Sequence, residues 1–198
     1  PENGTSMNQA SKNQKKLPVH EFPRPESDRV HSLRVDGLVH SRLELILADL
    51  QQLSQHDLVD DFTCLEGWSV PKVQWSGILL KDVLSFAKPL PEARYVQASA
   101  GNFSFPLPLE RAGQALLAIR LDENLLSREH GGPVRLIVPG GDCFTSIKWL
   151  DRLELLAEPG PNTAKEIALG RLPATEHGED TGENDSASSR RVSSESSD

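Results

Sequence analysis

Between Ser32 and Leu155 the apolar residues mostly return at every second position, and that period constrains the fold more than any other property of the chain. Alternation sends successive side chains to opposite faces of an extended strand, so each such run offers one face for burial. "SLRVDGLV" reads as a strand closing on Gly37, and "RLELIL" alternates Leu43, Leu45 and Leu47 before the short helix expected of "ADLQQL". "LVDDFTCL" carries Phe62 and Cys64 on one face, and "RYVQASA", "NFSFPL", "ALLAIRL", "PVRLIVP" and "SIKWLDRLEL" follow as strands. One stretch breaks the period: in "ILLKDVLSFA", Leu80, Val83, Leu84 and Ala87 recur at helical spacing. Pro106 and Pro108 restrict "NFSFPLPL" to a sheet edge or its end, because proline donates no ladder hydrogen bond. The expectation is an α+β fold of strand-rich mixed sheets with a few short helices, lacking the regular strand–helix alternation of a dinucleotide-binding domain.

The ends have a different composition. Residues 1–16, "PENGTSMNQASKNQKK", read as a disordered leader, and residues 172–198, "LPATEHGEDTGENDSASSRRVSSESSD", as a disordered acidic, Ser-rich tail. Residues 17–158 form the expected domain body, with 159–171 as an extension able to form a short helix. A hydrophobic content of 37% agrees with part of the chain lying outside a core. The formal charge of −8 argues against a nucleic-acid partner, which calls for a basic surface. The two cysteines, Cys64 and Cys143, fit neither a zinc pattern nor a disulfide framework. No apolar run is long enough to span a membrane, and no signal-peptide core or twin-arginine pair stands near the start, so a cytoplasmic location is the expectation.

Several residues sit oddly in a plain core. Cys64 closes a strand and leads into the polar turn "CLEGW". In "EHGGPVRLIVPGG", Val134, Leu136 and Val138 share one strand face while Arg135 and Ile137 project from the other. A guanidinium on such a strand is costly without a carboxylate or an anion to meet it. His130 precedes this strand, and Lys148 stands in "SIKWL", with Ile147 and Trp149 on one face and Lys148 and Leu150 on the other. Three cationic or potentially cationic residues around one expected hairpin suit a phosphate or other polyanion. Ordinary readings stay open beside this one: Arg135 paired with Glu154 across the hairpin, His130 as a loop residue, Lys148 snorkelling, and Cys64 as a small buried hydrophobe. Trp68 and Trp75 read as core aromatics, Asp60–Asp61 and Asp122–Glu123 as solvated turns, and Cys143 as an exposed loop cysteine without a role. No nucleophile-elbow, Walker, zincin or dinucleotide fingerprint occurs.

Taken together, "CLEGWSVPKVQWSGILLKDVL", "PLERA", "LLAIRLDENLLSREHGGPVRLIVPGG" and "SIKWLDRLEL" resemble, in order and spacing, the molybdopterin-binding domain of the sulfite oxidase family. The resemblance runs from Cys64 to Leu155, and its most specific parts are Cys-x-x-x-Trp followed by Trp-x-Gly, and His-Gly-x-Pro-x-Arg followed by Lys-Trp-Leu. It implies a molybdenum–molybdopterin cofactor, with Cys64 as the thiolate ligand of the metal and the catalytic residue. His130, Arg135, Ser146, Ile147 and Lys148 are the implied cofactor contacts, and Ser99 occupies the place of an acidic one. The family's N-terminal cofactor segment has no recognisable counterpart; "EFPRPESDRVH" stands in its place, with Arg24 or His31 as substitutes.

The implied activity is oxygen-atom transfer on a small-molecule substrate. Electrons would pass to a separate acceptor protein or small carrier, since no haem domain is recognisable here. Two alternatives remain: a non-catalytic, pterin-binding descendant of the fold, and an interaction module acting through the acidic tail. Bound cofactor without turnover distinguishes the first, and loss of partner binding on deleting residues 173–198 the second.

Overall fold

The computed structural model describes residues 17–19 and 31–171, so the expected leader, the acidic tail and Arg24 lie outside the described residues. In chain order the elements are β1 (Ser32–Gly37), β2 (Leu43–Ile46), α1 (Leu47–Gln52), β3 (His56–Thr63), β4 (Ser69–Leu79) and α2 (Leu80–Ala87). They continue as β5 (Tyr95–Ala100), β6 (Phe103–Pro108), β7 (Leu116–Leu121), β8 (Asn124–Leu125), β9 (Arg135–Ile137), β10 (Arg152–Leu156) and α3 (Thr163–Leu169). The fold is strand-rich and mixed, with short helices, as the alternation predicts.

Two sheets organise these strands. The first runs β2–β1–β10–β5–β6, in which β1 and β10 pair in parallel and the other neighbours are antiparallel. β6, with its two prolines, is an edge strand. The second runs β3–β4–β7, with β8 and β9 both pairing with β7. The ladder between β4 and β7 shifts register at Gly77, where a Cβ would stand 2.0 Å from the Leu117 carbonyl oxygen. Only glycine permits that approach of two backbones.

The main core takes Leu33 and Val35 from β1, Val96 and Ala98 from β5, Leu117 and Ile119 from β7, Leu136 from β9 and Leu153 and Leu155 from β10. Helix α2 adds Leu80, Val83, Leu84 and Ala87, the four residues at helical spacing, all buried. Burying each of its Leu and Val side chains is worth about 1.5–3 kcal/mol, more than enough to fix an eight-residue helix with little stability of its own. Leu116, Ala118 and Leu121 of β7 belong instead to a second cluster with Phe62, Val70, Val73, Trp75 and Ile137. The second sheet is thus packed on both faces.

Three sequence expectations change. "SIKWL" is not strand: Trp149 adopts φ 55, and the amides of Trp149 and Leu150 bond to the carbonyls of Gly131 and Val134 at 2.8 and 2.9 Å. β9 pairs with β7 rather than β10, so the expected hairpin does not form; Glu154 meets Arg152 at 3.1 Å instead of Arg135. Asp122, expected in a solvated turn, is buried and sits at φ 47. None of the described helices is long and apolar enough to cross a membrane.

Candidate cofactor site

Cys64 follows β3 directly and opens a tight turn. Its amide bonds to the Trp68 carbonyl at 2.9 Å, and Gly67, at φ +87, returns a bond to the Cys64 carbonyl at 3.0 Å. The turn folds Trp68 back over Phe62, ring centroids 6.0 Å apart, and Trp68 Nε1 donates to Glu66 Oε2 at 3.2 Å. Cys64 is left half-buried at the edge of a cavity of about 370 Å³. Trp68, expected in the core, lines that cavity; Trp75 is fully buried, as expected.

Arg135 enters the same cavity from β9. It lies 4.9 Å from the Phe62 ring centroid and 5.1 Å from that of Trp75, and donates from Nη1 to the His130 carbonyl at 3.1 Å. Its Nε has no hydrogen-bond partner among the described residues, and no carboxylate pairs with it there. Burial lowers its pKa to about 9, a sign of a charge held with too little compensation. Beside it, Lys148 Nζ donates to the Pro18 and Glu129 carbonyls at 3.2 and 3.4 Å. Burial, then the Arg135 charge, lowers the Lys148 pKa to about 7. Gly131, at φ +97, permits the packing: a Cβ there would lie 2.6 Å from Lys148 Cγ.

Among the predicted residues, Cys64, Arg135, Ser146, Ile147 and Lys148 therefore meet at one cavity. His130 and Ser99 are not on its wall. The His130 ring is buried behind Arg135, its Nδ1 2.9 Å from Ser127 Oγ and its Nε2 making no well-formed hydrogen bond, with the Leu17 backbone against it. Burial, then Lys148 and Arg135, pushes its pKa down. Ser99 lies in the interior strand β5, in register between Ser104 and Arg152; the β5–β6 hairpin reaches the cavity through Phe103 instead. His31, offered as a substitute contact, bonds to the Leu150 carbonyl at 2.8 Å and does not line the cavity.

Four features of the wall escaped the sequence reading. Leu17 and Pro18 line it, far in sequence from everything they touch. Phe144 adds an aromatic edge. Ala164, Ile167, Ala168 and Arg171 bring α3 and its end onto the cavity, and Ala164 is also part of the main core. Cys143 is half-buried, with its Sγ 2.8 Å from that of Cys64. Burial, then the hydrogen bond with Cys64, pushes the Cys143 thiol up to about 11. Asp60 holds the Cys143 loop in place by accepting from the Gly140 amide at 3.0 Å.

The donor set fits a bound anion that also carries a metal able to take a thiolate. Arg135, Lys148 and Arg171 face one carboxylate, Glu66, on the wall, and Arg135 keeps donor capacity unused. Cys64 supplies a sulfur donor. Among the described residues no cluster of three or more His, Cys, Asp or Glu could hold a metal ion unaided.

Residues 20–164 match the family model described as the oxidoreductase molybdopterin binding domain. The catalytic subunit MsrP of protein-methionine-sulfoxide reductase from Campylobacter jejuni is 27% identical over 154 residues, covering 68% of this chain and 52% of that protein. Sulfite oxidase from Arabidopsis thaliana is 25% identical over 167 residues, covering 65% and 42%. The chain spans about half the length of these curated relatives. Among solved structures, the sulfane dehydrogenase SoxCD from Paracoccus pantotrophus superposes with a TM-score of 0.62 at 24% identity, over 71% of this chain and 41% of that one, a likeness of fold.

Proposed function

This chain belongs to the molybdopterin-binding oxidoreductases of the sulfite oxidase family, and from that premise we propose that it transfers an oxygen atom to or from a small substrate and passes electrons to a separate acceptor. One observation carries the assignment of the site: a buried guanidinium with an unused donor and a half-buried cysteine sulfur face the same cavity.

In this reading Cys64 gives its thiolate to the metal, which keeps that thiol deprotonated. Arg135 presents its fork to the anionic end of the cofactor, and Lys148 adds a second charge beside it. Ser146 and Ile147, both buried, bring backbone and hydroxyl groups to the same stretch of wall. Phe62, Trp68, Phe103 and Phe144 give the cavity an aromatic lining. When bound, the cofactor supplies the two-electron redox centre and the site of oxygen exchange. The protein's share is then orientation and charge, which agrees with a wall whose carboxylate, Glu66, is engaged with Trp68. The relative MsrP is the catalytic subunit of its reductase, which supports a separate electron partner here.

Expression in a host that makes the cofactor is expected to give one molybdenum per chain, lost in Cys64→Ala. Metal-free protein in both cases overturns the assignment. Dye-linked assays with sulfite, sulfoxides, N-oxides and nitrate then identify the substrate class. A second reading, cofactor binding without turnover, is favoured by Ser99 and His130 standing off the wall. Bound molybdenum with no turnover of any of these substrates selects it.

A further inference from the structure

We propose that Cys64 and Cys143 form a reversible disulfide in the cofactor-free protein, and that closing it withholds the sulfur the cofactor's metal would take. The second half rests on the reading of the site given above; the first rests on the two thiols alone.

The sulfurs are 2.8 Å apart, although 79 residues separate them in sequence. A disulfide needs about 2.05 Å, so they must approach by roughly 0.8 Å. Both ends can give that distance. Cys64 stands in a turn outside β3, and Cys143 begins a single 3-10 turn after the pair Gly140–Gly141. Neither is clamped inside a strand or a long helix. The Asp60 bond to the Gly140 amide ties the second loop to β3, the strand that leads into Cys64, so the fold itself holds the pair together. Both thiols line the cavity, where a small reagent can reach them, and neither is sealed in the core. These are the only two cysteines of the chain, so each has just one possible partner within it.

The oxidant is a small disulfide, RSSR, such as oxidised glutathione. One of the two sulfurs attacks RSSR, breaking its S–S bond and forming a mixed disulfide; one RSH leaves with the proton the first cysteine gives up. The other cysteine's sulfur then attacks the protein-side sulfur of the mixed disulfide. The Cys64–Cys143 bond forms, a second RSH leaves with the remaining proton, and RSSR has taken up the two electrons. A dithiol reverses the exchange. In the closed form Cys64 has no free valence for a metal, and the side chain of Cys143 lies over it.

The test uses the full chain purified from a host without the cofactor pathway. After treatment with oxidised glutathione, the expected intact mass under denaturing, non-reducing conditions is lower by two hydrogens, with no titratable thiol and no glutathione attached. Cys143→Ser is expected to retain one glutathione, because the resolving sulfur is gone. Wild-type protein that keeps its thiols, or that carries glutathione instead of closing, overturns the proposal. The oxidised chain, offered molybdopterin cofactor, is expected to retain at least about ten times less molybdenum than the reduced chain, and dithiothreitol to restore loading. Equal loading of the oxidised and reduced chains overturns the gate while leaving the function above intact. Failure of both to load, with the disulfide formed, overturns the cofactor reading and the gate with it.

Discussion

Arg135 reaches the carbonyl oxygen of His130 through Nη1 at 3.1 Å, while its Nε stays buried without a hydrogen bond among the described residues. A guanidinium has five N–H donors, and one carbonyl uses few of them. Aromatic rings on Phe62 and Trp75 offset part of the desolvation cost, but they do not satisfy the fork. The residue is arranged for something the described residues do not supply.

Replacing that charge separates binding from stability. Arg135→Met is expected to leave the cofactor-free protein within about 2 kcal/mol of wild type, because losing the ring contacts is set against relief of a buried charge. Molybdenum retention is expected to fall at least about tenfold. Urea unfolding of the cofactor-free protein and metal analysis of the loaded protein measure the two effects; a large loss of stability with normal metal content contradicts the role.

The lowered pKa of Lys148, about 7 against the usual 10.5, sets a pH dependence. Below pH 7 the lysine is charged in folded and unfolded chains alike, and the folded state carries the full cost. Between about 7 and 10.5 the unfolded chain holds a proton that the folded one has released, so stability rises with pH. His130, also lowered by burial, acts in the same direction below its usual 6.5. The midpoint of thermal unfolding of the cofactor-free protein is expected to climb from pH 7 to 9, with a shallower slope in Lys148→Met. A flat or falling profile for wild type contradicts this.

Gly131→Ala places a methyl group 2.6 Å from Lys148 Cγ and 3.0 Å from its Cα, at a φ of +97. The expected cost is about 1–3 kcal/mol, together with displaced Lys148 and reduced cofactor retention. Denaturant titration measures the first, and metal content the second.

Asp60→Ala removes the acceptor that holds the Gly140 amide. The bond is exposed, so global stability is expected to change by less than about 1 kcal/mol. Hydrogen exchange at residues 140–143 is expected to accelerate several-fold; unchanged exchange there means that other contacts hold the loop.

The strands were legible because burial of alternate residues leaves a period of two, and α2 because Leu80, Val83, Leu84 and Ala87 share one face. The second face of β9, with Arg135 beside Ile137, could be read for the same reason. What escaped the reading depends on contacts between distant segments. The partner of β9 is β7, a choice that alternation in either strand cannot express. "SIKWL" has the pattern of a strand, but the carbonyls of Gly131 and Val134 draw its amides into an irregular path. Cys143 looked exposed because it follows two glycines and an aspartate in a loop; the apposition with Cys64 follows from how two loops meet. Family likeness supplied the proposed role of Cys64, where its own surroundings favoured a small buried hydrophobe.

Leu17 and Pro18 contribute to the wall from 130 residues before Lys148, whose ammonium is tied to the Pro18 carbonyl. A purification handle, protease scar or fusion partner joined just upstream of Leu17 would sit directly beside the cavity wall. Recombinant forms intended for spectroscopy should therefore keep native sequence ahead of Leu17.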